Sequence, residues 1–279
     1  MRFDIVTIFP GFFESIFAYG IARRAIEDGL VSVVAHDLRN YTHDRHRTVD
    51  DRPFGGGEGM VLKPEPLAEA LETLGIQGAR EQGSRKAGSE GTRVILLSAQ
   101  GRLFTQAVAR ELVAMERVVL VCGRYEGVDE RINELYCDME LSIGDYVLSG
   151  GELAAAIVAD ATIRLIPGVL GNEASSAFES FGAADAEIDV DIDGVPRSQH
   201  GAGGLVDYPQ YTRPAEFGGL RAPEVLMNGD HAAIRKWRRE QQLHKTLANR
   251  PDLLERVTLS AGDRRILEEI RRRQQNPLE

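Results

Sequence analysis

Apolar positions along the first part of the chain follow two periods, which predict strands that alternate with helices. Short apolar runs typical of buried strands occupy residues 2–8, 31–36, 94–97, 118–122 and 139–141. Apolar residues at helical spacing predict helices over residues 12–19, 21–28, 64–74, 104–115 and 152–165. Because strands that alternate with helices are typical of βαβ units, the pattern predicts an α/β fold with a mainly parallel sheet.

The pattern of hydrophobic positions changes after Gly171. Residues 182–205 contain five acidic residues and several glycines, with little apolar periodicity. This composition predicts a flexible acidic linker, because too few apolar groups are present to form a core. Residues 77–91, rich in Gly, Ser and charge, similarly predict a mobile loop within the first domain.

Beyond Pro214 the chain is predicted to be all-helical. Helices are expected over residues 231–249, 252–257 and 260–273, with Asp230 and Ser260 as capping residues. The domain organisation that follows is an α/β domain at 1–171, a linker at 172–207 and a small helical domain at 208–279.

Charge is distributed unevenly along the chain. The net charge is -10, yet residues 211–279 contain 14 Lys and Arg against 10 Asp and Glu, which leaves -14 on the remainder. A basic C-terminal module is compatible with phosphate binding. No apolar run approaches the ~20 residues that span a membrane, the N-terminus does not resemble a signal peptide, and two cysteines do not form a disulfide scaffold. A cytoplasmic enzyme is the simplest class.

Two glycine-containing blocks carry the most information about chemistry. Residues 122–131 and 142–151 each begin where an apolar strand ends. Glycines allow sharp turns and close backbone approach to a ligand, and ligands of open α/β sheets bind at the carboxyl ends of strands. The blocks therefore predict a small-molecule pocket beside a charged reaction site.

Two other motifs each allow a structural and a functional interpretation. Residues 55–59 contain G-x-G-x-G, but no apolar strand precedes them, so a glycine-rich surface loop is the better interpretation than a nucleotide site. Residues 43–52 are polar around one valine, as in a solvated loop. Their arginines would repel a metal cation from His43 and His46, and contact with phosphate is the more credible function.

Several charged residues stay open between a structural and a functional interpretation. The basic run at residues 235–239 is either a solvated helical face, with Trp237 in the core, or a face that follows phosphates. Arg164, just before a helix stop, either interacts with the helix dipole or points at a substrate carbonyl. Glu173 and Glu179 alone would be ordinary surface acids. No lipase-type elbow, Walker loop or His-Glu-x-x-His motif is present.

In their order and spacing, these blocks resemble the bacterial tRNA (guanine-N1)-methyltransferases, the TrmD family of the SPOUT class. The resemblance spans nearly the whole chain and is carried by residues 8–10, 43–60, 122–131, 142–152, 166–171, 211–214 and 229–231. It implies methylation of guanosine 37 in tRNA, with S-adenosylmethionine as the methyl donor. It also implies a homodimer with the active site at the subunit interface, and a deep trefoil knot that forms the cofactor site.

The resemblance also assigns residues to the site. S-adenosylmethionine would be held by Leu96, Leu97, Ser98, Gln100, Gly123, Ile143, Gly144, Asp145, Tyr146, Val147, Leu148, Gly150 and Gly151. Arg164 would stabilise charge on the guanine oxygen, and Glu126 would assist near the guanine and a Mg²⁺ ion, for which no ligands are assigned. The anticodon stem-loop would be contacted by Arg45, Arg47, Arg52, Arg235, Lys236, Arg238 and Arg239.

The chain departs from the family pattern at two places. The family's general base is an aspartate, and the matching position here is Glu179, one methylene longer, with Asp185 as the reserve candidate. The stretch at residues 182–204 is longer and more acidic than the family's, and we expect it to be disordered without tRNA. Two rival functions remain: a related knotted methyltransferase that acts on another RNA, and an RNA-binding protein that has lost activity.

Overall fold

The chain divides into two compact units, Met1–Gly171 and Asn172–Glu279. This computed structural model describes residues 1–79, 91–171, 179–182 and 203–275. Most of the predicted mobile loop at 77–91 and of the predicted linker at 182–204 lies outside the described residues, as do Glu173 and Asp185. The catalytic role of the first unit and the tRNA-binding role of the second stay predictions.

A five-stranded parallel sheet organises the first unit. Its order is β2–β1–β6–β5–β7, and β3 and β4 form a separate antiparallel ladder. The strands are β1 (Arg2–Thr7), β2 (Ser32–Asp37), β3 (Asp50–Asp51), β4 (Val61–Leu62), β5 (Thr92–Leu103), β6 (Arg117–Cys122) and β7 (Met139–Ser142). The helices are α1 (Phe12–Ile16), α2 (Gly20–Glu27), α3 (Pro64–Thr73), α4 (Gln106–Val113), α5 (Glu130–Tyr136) and α6 (Glu152–Ile163), with a 3-10 turn at Leu38–Tyr41.

Helices cover both faces of this sheet, which explains why its central strands are apolar throughout. Successive residues of a strand point to opposite faces. Val118 and Leu120 of β6 therefore pack into one buried cluster with residues of α1, α2, α4 and α6. Val119 and Val121 pack into a second cluster with residues of α3 and α5. The predicted α/β class and mainly parallel sheet are confirmed.

Three predicted elements of the first unit need correction. β5 does not end at Leu97 but continues to Leu103, because a register shift between Leu97 and Arg102 lets the strand stay paired with β7. Helix α5 was not predicted, since only Ile132 on it is buried and its apolar periodicity is weak. Helix α1 ends at Ile16, short of the expected residue 19.

The second unit contains a small helical core and one hairpin. Its elements are β8 (Glu216–Phe217), β9 (Leu220–Arg221), a 3-10 turn at Glu224–Leu226, and the helices α7 (His231–Asn249), α8 (Pro251–Leu254) and α9 (Ala261–Gln275). The expectation of an all-helical region is wrong at the hairpin, where Gly218 and Gly219 adopt positive φ and close a tight turn. Both predicted caps are confirmed: Asp230 accepts from two helical N–H groups, and Ser260 exchanges hydrogen bonds with Asp263.

Candidate functional site

A cavity of about 270 Å³ lies at the carboxyl ends of β6 and β7 and beside residues 96–100 of β5. Both glycine-containing blocks contribute to its wall, so the structure brings together two segments that the sequence separates. Twelve of the thirteen residues assigned to cofactor binding by resemblance line it: Leu96, Leu97, Ser98, Gln100, Gly123, Ile143, Gly144, Tyr146, Val147, Leu148, Gly150 and Gly151. Asp145 is not among the lining residues.

Ten further lining residues were missed by the sequence analysis. They are Ala99, Arg124, Tyr125, Gly127, Val128, Glu130, Glu140, Leu141, Ser142 and Ala154. Most belong to the two blocks singled out in the sequence, where a strand end and a glycine were the available signal. Ala99 lines the cavity because β5 continues past the predicted strand end. Cofactor binding by the residues that the resemblance assigns stays a prediction.

Main-chain contacts fix the wall of the cavity. Gly151 donates its N–H to the Gly123 carbonyl at 2.9 Å, and a bridge pairs Arg124 with Gly150. A Cβ atom on Gly151 would lie 2.8 Å from the Cα of Cys122, and one on Gly101 would lie 2.5 Å from the Leu141 nitrogen. No side chain fits at either position unless backbone moves, so these glycines are required by close packing.

The loop after β6 has an unusual backbone conformation where it faces the cavity. Tyr125 has φ of +59°, a left-handed conformation that is rare for a non-glycine residue, and its side chain is 55% exposed. The adjacent Glu126 donates its N–H to the Met60 carbonyl at 3.0 Å, and its side chain packs against Gly59. The glycine-rich segment at 55–59 is thus a loop that packs beside the cavity and leaves Phe54 exposed.

A buried carboxylate connects three segments next to the cavity. Glu152, in the first turn of α6, is only 2% exposed. It accepts a hydrogen bond from the Thr7 hydroxyl at 2.7 Å and one from Arg124 Nε at 3.1 Å. Burial, and then the nearby Glu152 carboxylate, raise the pKa of the Cys122 thiol, so this cysteine stays protonated and unreactive.

The three predicted catalytic residues lie in different places. Glu126 lines the cavity. Arg164 follows the last residue of α6 and is not a lining residue, and its N–H continues the helix to the Asp160 carbonyl. Glu179 belongs to the second unit, where its carbonyl accepts from the Gly182 N–H at 2.9 Å. Their catalytic roles stay predictions.

The basic residues predicted to contact RNA differ in how far their side chains are already engaged. Arg45, Arg47 and Arg52 are exposed on the loop before β4. On α7, Lys236 is exposed and Arg235 half-buried, while Arg238 stacks over the Tyr208 ring at 4.8 Å. Arg239 makes two hydrogen bonds to Asp263 and one to Gln242, so its guanidinium links α7 to α9.

The described residues contain neither a cluster of metal ligands nor a helix that could span a membrane. Within the described ranges, no three His, Cys, Asp or Glu side chains are grouped as metal ligands, although Glu126, Glu130 and Glu140 all line the cavity. Every described helix is too short or too polar to cross a bilayer.

Comparisons with known proteins agree with this geometry. The profile of the family described as tRNA (Guanine-1)-methyltransferase TrmD matches residues 1–256. The tRNA (guanine-N(1)-)-methyltransferase of Koribacter versatilis is 54% identical over 271 residues, which cover 97% of this chain and 98% of that protein. The protein of the same name from Syntrophotalea carbinolica is 49% identical, with 98% and 97% covered, and that from Geotalea uraniireducens is 48% identical, with 98% of each covered.

These matches extend across the segments that form the cavity. The family profile begins at residue 1, in the first unit, and ends at residue 256, within the second unit. The identities are high, and almost the full length of each relative is covered. The chain therefore belongs to the tRNA (guanine-N1)-methyltransferase family, a family of methyltransferase enzymes.

Proposed function

We propose that this protein transfers a methyl group from S-adenosylmethionine to N1 of guanosine 37 in cytoplasmic tRNA. The observation that carries the proposal is the cavity at the carboxyl ends of β6 and β7 and beside β5, in a chain of this family. Twelve residues assigned to the methyl donor by resemblance meet there, although they come from three separate segments.

The residues of the cavity fit an adenosine-containing molecule. Its wall includes the carboxyl ends of parallel strands and five glycines, Gly123, Gly127, Gly144, Gly150 and Gly151. At Gly144, Gly150 and Gly151 neighbouring protein atoms fill the place of a Cβ, so these glycines let the wall pack closely. Leu96, Leu97 and Ile143 supply apolar surface for a flat base. S-adenosylmethionine, when bound, supplies a methyl group on a positively charged sulfur. We expect the SPOUT trefoil knot to surround this site.

Two side chains are proposed to activate the guanine. N1 carries a proton and is a poor nucleophile, so a base must remove that proton as the new carbon–nitrogen bond forms. Glu179 accepts the proton, and Arg164 stabilises the negative charge that develops on the guanine oxygen. S-adenosylmethionine would supply the methyl group to N1, and the electron pair of the broken carbon–sulfur bond would stay on the sulfur, which becomes neutral.

The position of Arg164 supports a site shared between two copies of the chain. Helix α6 begins at the cavity and spans twelve residues, so Arg164 at its far end is ~18 Å away along the helix axis. A guanine beside the cavity would then be contacted by residues of two copies of the chain, and the family arrangement requires Glu179 to reach it across the interface. Leu153 and Ile157, one turn apart on α6, are 48% and 45% exposed and give a second copy apolar surface to cover.

A magnesium ion fits the chemistry of one wall of the cavity. Mg²⁺ typically binds one or two carboxylates and retains several waters, and Glu126 and Glu130 both line this wall. Glu126 would hold such an ion, which would supply positive charge next to the guanine. The second unit would bind the anticodon stem-loop through basic residues of α7, of which Lys236 is the exposed one among the four predicted.

Methyl transfer from labelled S-adenosylmethionine to an unmodified tRNA with guanosine at 36 and 37 tests this proposal. Wild type should methylate this tRNA but not a matched tRNA with adenosine at 37. Glu179→Gln should lower the rate by at least about 100-fold, whereas Asp185→Asn and the surface control Glu255→Gln should leave it within about twofold. Arg164→Ala should abolish transfer but retain cofactor binding.

The outcomes separate the rival functions. Loss of activity in Asp185→Asn alone would identify Asp185, and not Glu179, as the general base. Methylation of another RNA, but not of this tRNA, would indicate a related methyltransferase with a different substrate. Cofactor binding without transfer to any RNA, with added magnesium, would indicate an RNA-binding protein that has lost activity.

A further inference from the structure

Two arginines from different segments of the first unit share one aromatic ring. The guanidinium of Arg124 lies over the Phe9 ring, 4.5 Å from its centre, and that of Arg39 lies 5.7 Å from the same centre. Phe9 is 44% exposed. Cation–π contact holds both guanidinium groups on the ring, and each also lies near one carboxylate, Glu152 for Arg124 and Asp37 for Arg39.

Arg124 is held rigidly from its buried side. Its Nε donates to Glu152, which is itself fixed by the Thr7 hydroxyl, and the stem of the side chain packs against Gly150. Among the described residues, the two terminal guanidinium nitrogens have no hydrogen-bond acceptor. Since Arg124 also lines the cavity, a preorganised pair of donors stands at the cavity's edge.

Arg39 extends this basic surface away from the cavity. Its Nη1 donates to the Ile8 carbonyl and lies 3.8 Å from Asp37, while Nε and Nη2 have no acceptor within the described ranges. The next residue, Asn40, accepts a hydrogen bond from Arg47 at 3.4 Å. Arg124, Arg39 and Arg47 therefore follow one another from the cavity to the loop at 43–52.

We propose that Arg39 and Arg124, held on Phe9, form a phosphate-binding site for the RNA backbone next to the nucleotide that enters the cavity. The inference rests on the proposed function, and it gives a role in RNA binding to two arginines that the resemblance does not assign to RNA. Guanidinium groups bind phosphate through two parallel hydrogen bonds. A phosphodiester is the better ligand than the cofactor's single carboxylate, because the pair continues outward to Arg47, along a path that an RNA strand would follow.

The test compares tRNA binding with cofactor binding in the full-length protein. We expect Arg39→Ala and Arg124→Ala each to weaken binding of unmodified tRNA by about 3- to 10-fold and to lower the slope of log K against log salt by about 1. In Arg39→Ala the dissociation constant for S-adenosylmethionine should stay within about twofold, because Arg39 does not line the cavity. Arg124→Lys keeps the charge without the Nε hydrogen bond, and should fall between wild type and Arg124→Ala.

Arg23→Ala is the matched control, because Arg23 is an exposed arginine of the same unit whose guanidinium pairs with Glu27; its tRNA affinity and salt slope should equal those of wild type. Arg39 does not contact a buried acid, so Arg39→Ala decides the matter if Arg124→Ala fails to fold. An unchanged salt slope in Arg39→Ala, or weaker cofactor binding in Arg124→Ala with normal tRNA binding, would overturn the inference. Reduced tRNA binding in both variants of a protein that methylates no tRNA would keep the phosphate site and refute the proposed function.

Discussion

The two compact units use charged residues in different ways. In the first unit the carboxylates of Asp4 and Glu152 are 0% and 2% exposed, and each is bound by side chains from other segments. In the second unit most charged residues of α7 and α9 face solvent, and Asp263 is the one acidic residue described there as buried. The first unit thus uses buried ionised groups to join its segments, with Glu152 beside the cavity, whereas the second presents most of its charges where a polyanion can reach them. Substitutions of charged residues should therefore mainly change stability in the first unit, and mainly change the salt dependence of tRNA binding in the second.

The largest effect is expected at Asp4 on β1. This buried carboxylate accepts hydrogen bonds from Arg2, His36 and Arg117 at 2.7–2.8 Å. Asp4→Asn removes the carboxylate that pairs with these three side chains, so the free energy of unfolding should fall by about 3–5 kcal/mol. Urea unfolding at pH 7 measures this, and the exposed Asp28→Asn should change it by less than about 0.5 kcal/mol.

The same carboxylate should make the first unit sensitive to acid. Burial alone would raise the pKa of Asp4, but the hydrogen bonds from His36, Arg2 and Arg117 lower it well below its ordinary value. A lowered pKa contributes stability that is fully present above the unfolded-state pKa of ~4 and is lost as the pH falls below it. Wild type should therefore lose more stability than Asp4→Asn when the pH falls from about 5 to about 3, the range in which carboxyl groups of the unfolded chain take up protons. Equal losses of stability in the two proteins would refute this role.

A smaller effect is expected at Gly151, where backbone rather than charge is tested. A methyl group there would meet the Cα of Cys122 at 2.8 Å, although the φ of -75° itself suits alanine. Moving backbone to relieve this contact costs about 1–3 kcal/mol, so Gly151→Ala should weaken S-adenosylmethionine binding by about 10- to 100-fold. Gly11→Ala is the control, because a Cβ there meets no atom within 4 Å. Calorimetry that finds equal affinities would show that Gly151 is not part of the cofactor site.

The sequence patterns predicted some elements closely and missed others, for physical reasons. Strands β1 and β6 were predicted closely because their apolar runs are long and their neighbours cover both faces. The continuation of β5 through polar residues was not, because pairing with β7 after a register shift is a tertiary effect. The hairpin at 216–221 was missed because two-residue strands leave almost no periodic signal.

The candidate site divides in the same way. Cavity residues were predictable because they lie in two compact motifs, each next to a strand end. The network behind them was not, since Glu152 binds Thr7 and Arg124 across 145 and 28 residues of sequence. On the sequence alone Glu152 is an acidic residue at a helix start, and Arg39 an isolated arginine. Only the folded chain places Arg39 and Arg124 on the same ring.

The smallest effects are expected on α7, where two neighbouring basic residues allow a direct comparison. Arg239 is bound at both edges of its guanidinium by Asp263, at 2.8 and 3.0 Å, and by Gln242. Because Asp263 is only 7% exposed, Arg239→Ala leaves a nearly buried carboxylate without its cation. The variant should lower the stability of the second unit by about 2 kcal/mol, which thermal unfolding followed by circular dichroism measures.

Lys236 is exposed and makes no described ion pair, so its removal should leave folding unchanged. Instead, Lys236→Ala should weaken tRNA binding about two- to fivefold and reduce the salt slope by about 1, because one phosphate contact is lost. Anisotropy titrations at several salt concentrations separate the two residues. Arg239→Ala could instead keep the wild-type melting temperature and lose more tRNA affinity than Lys236→Ala. That result would mean that the ion pair between Arg239 and Asp263 opens when RNA binds. Arg239 would then be an RNA-binding residue and not a structural one.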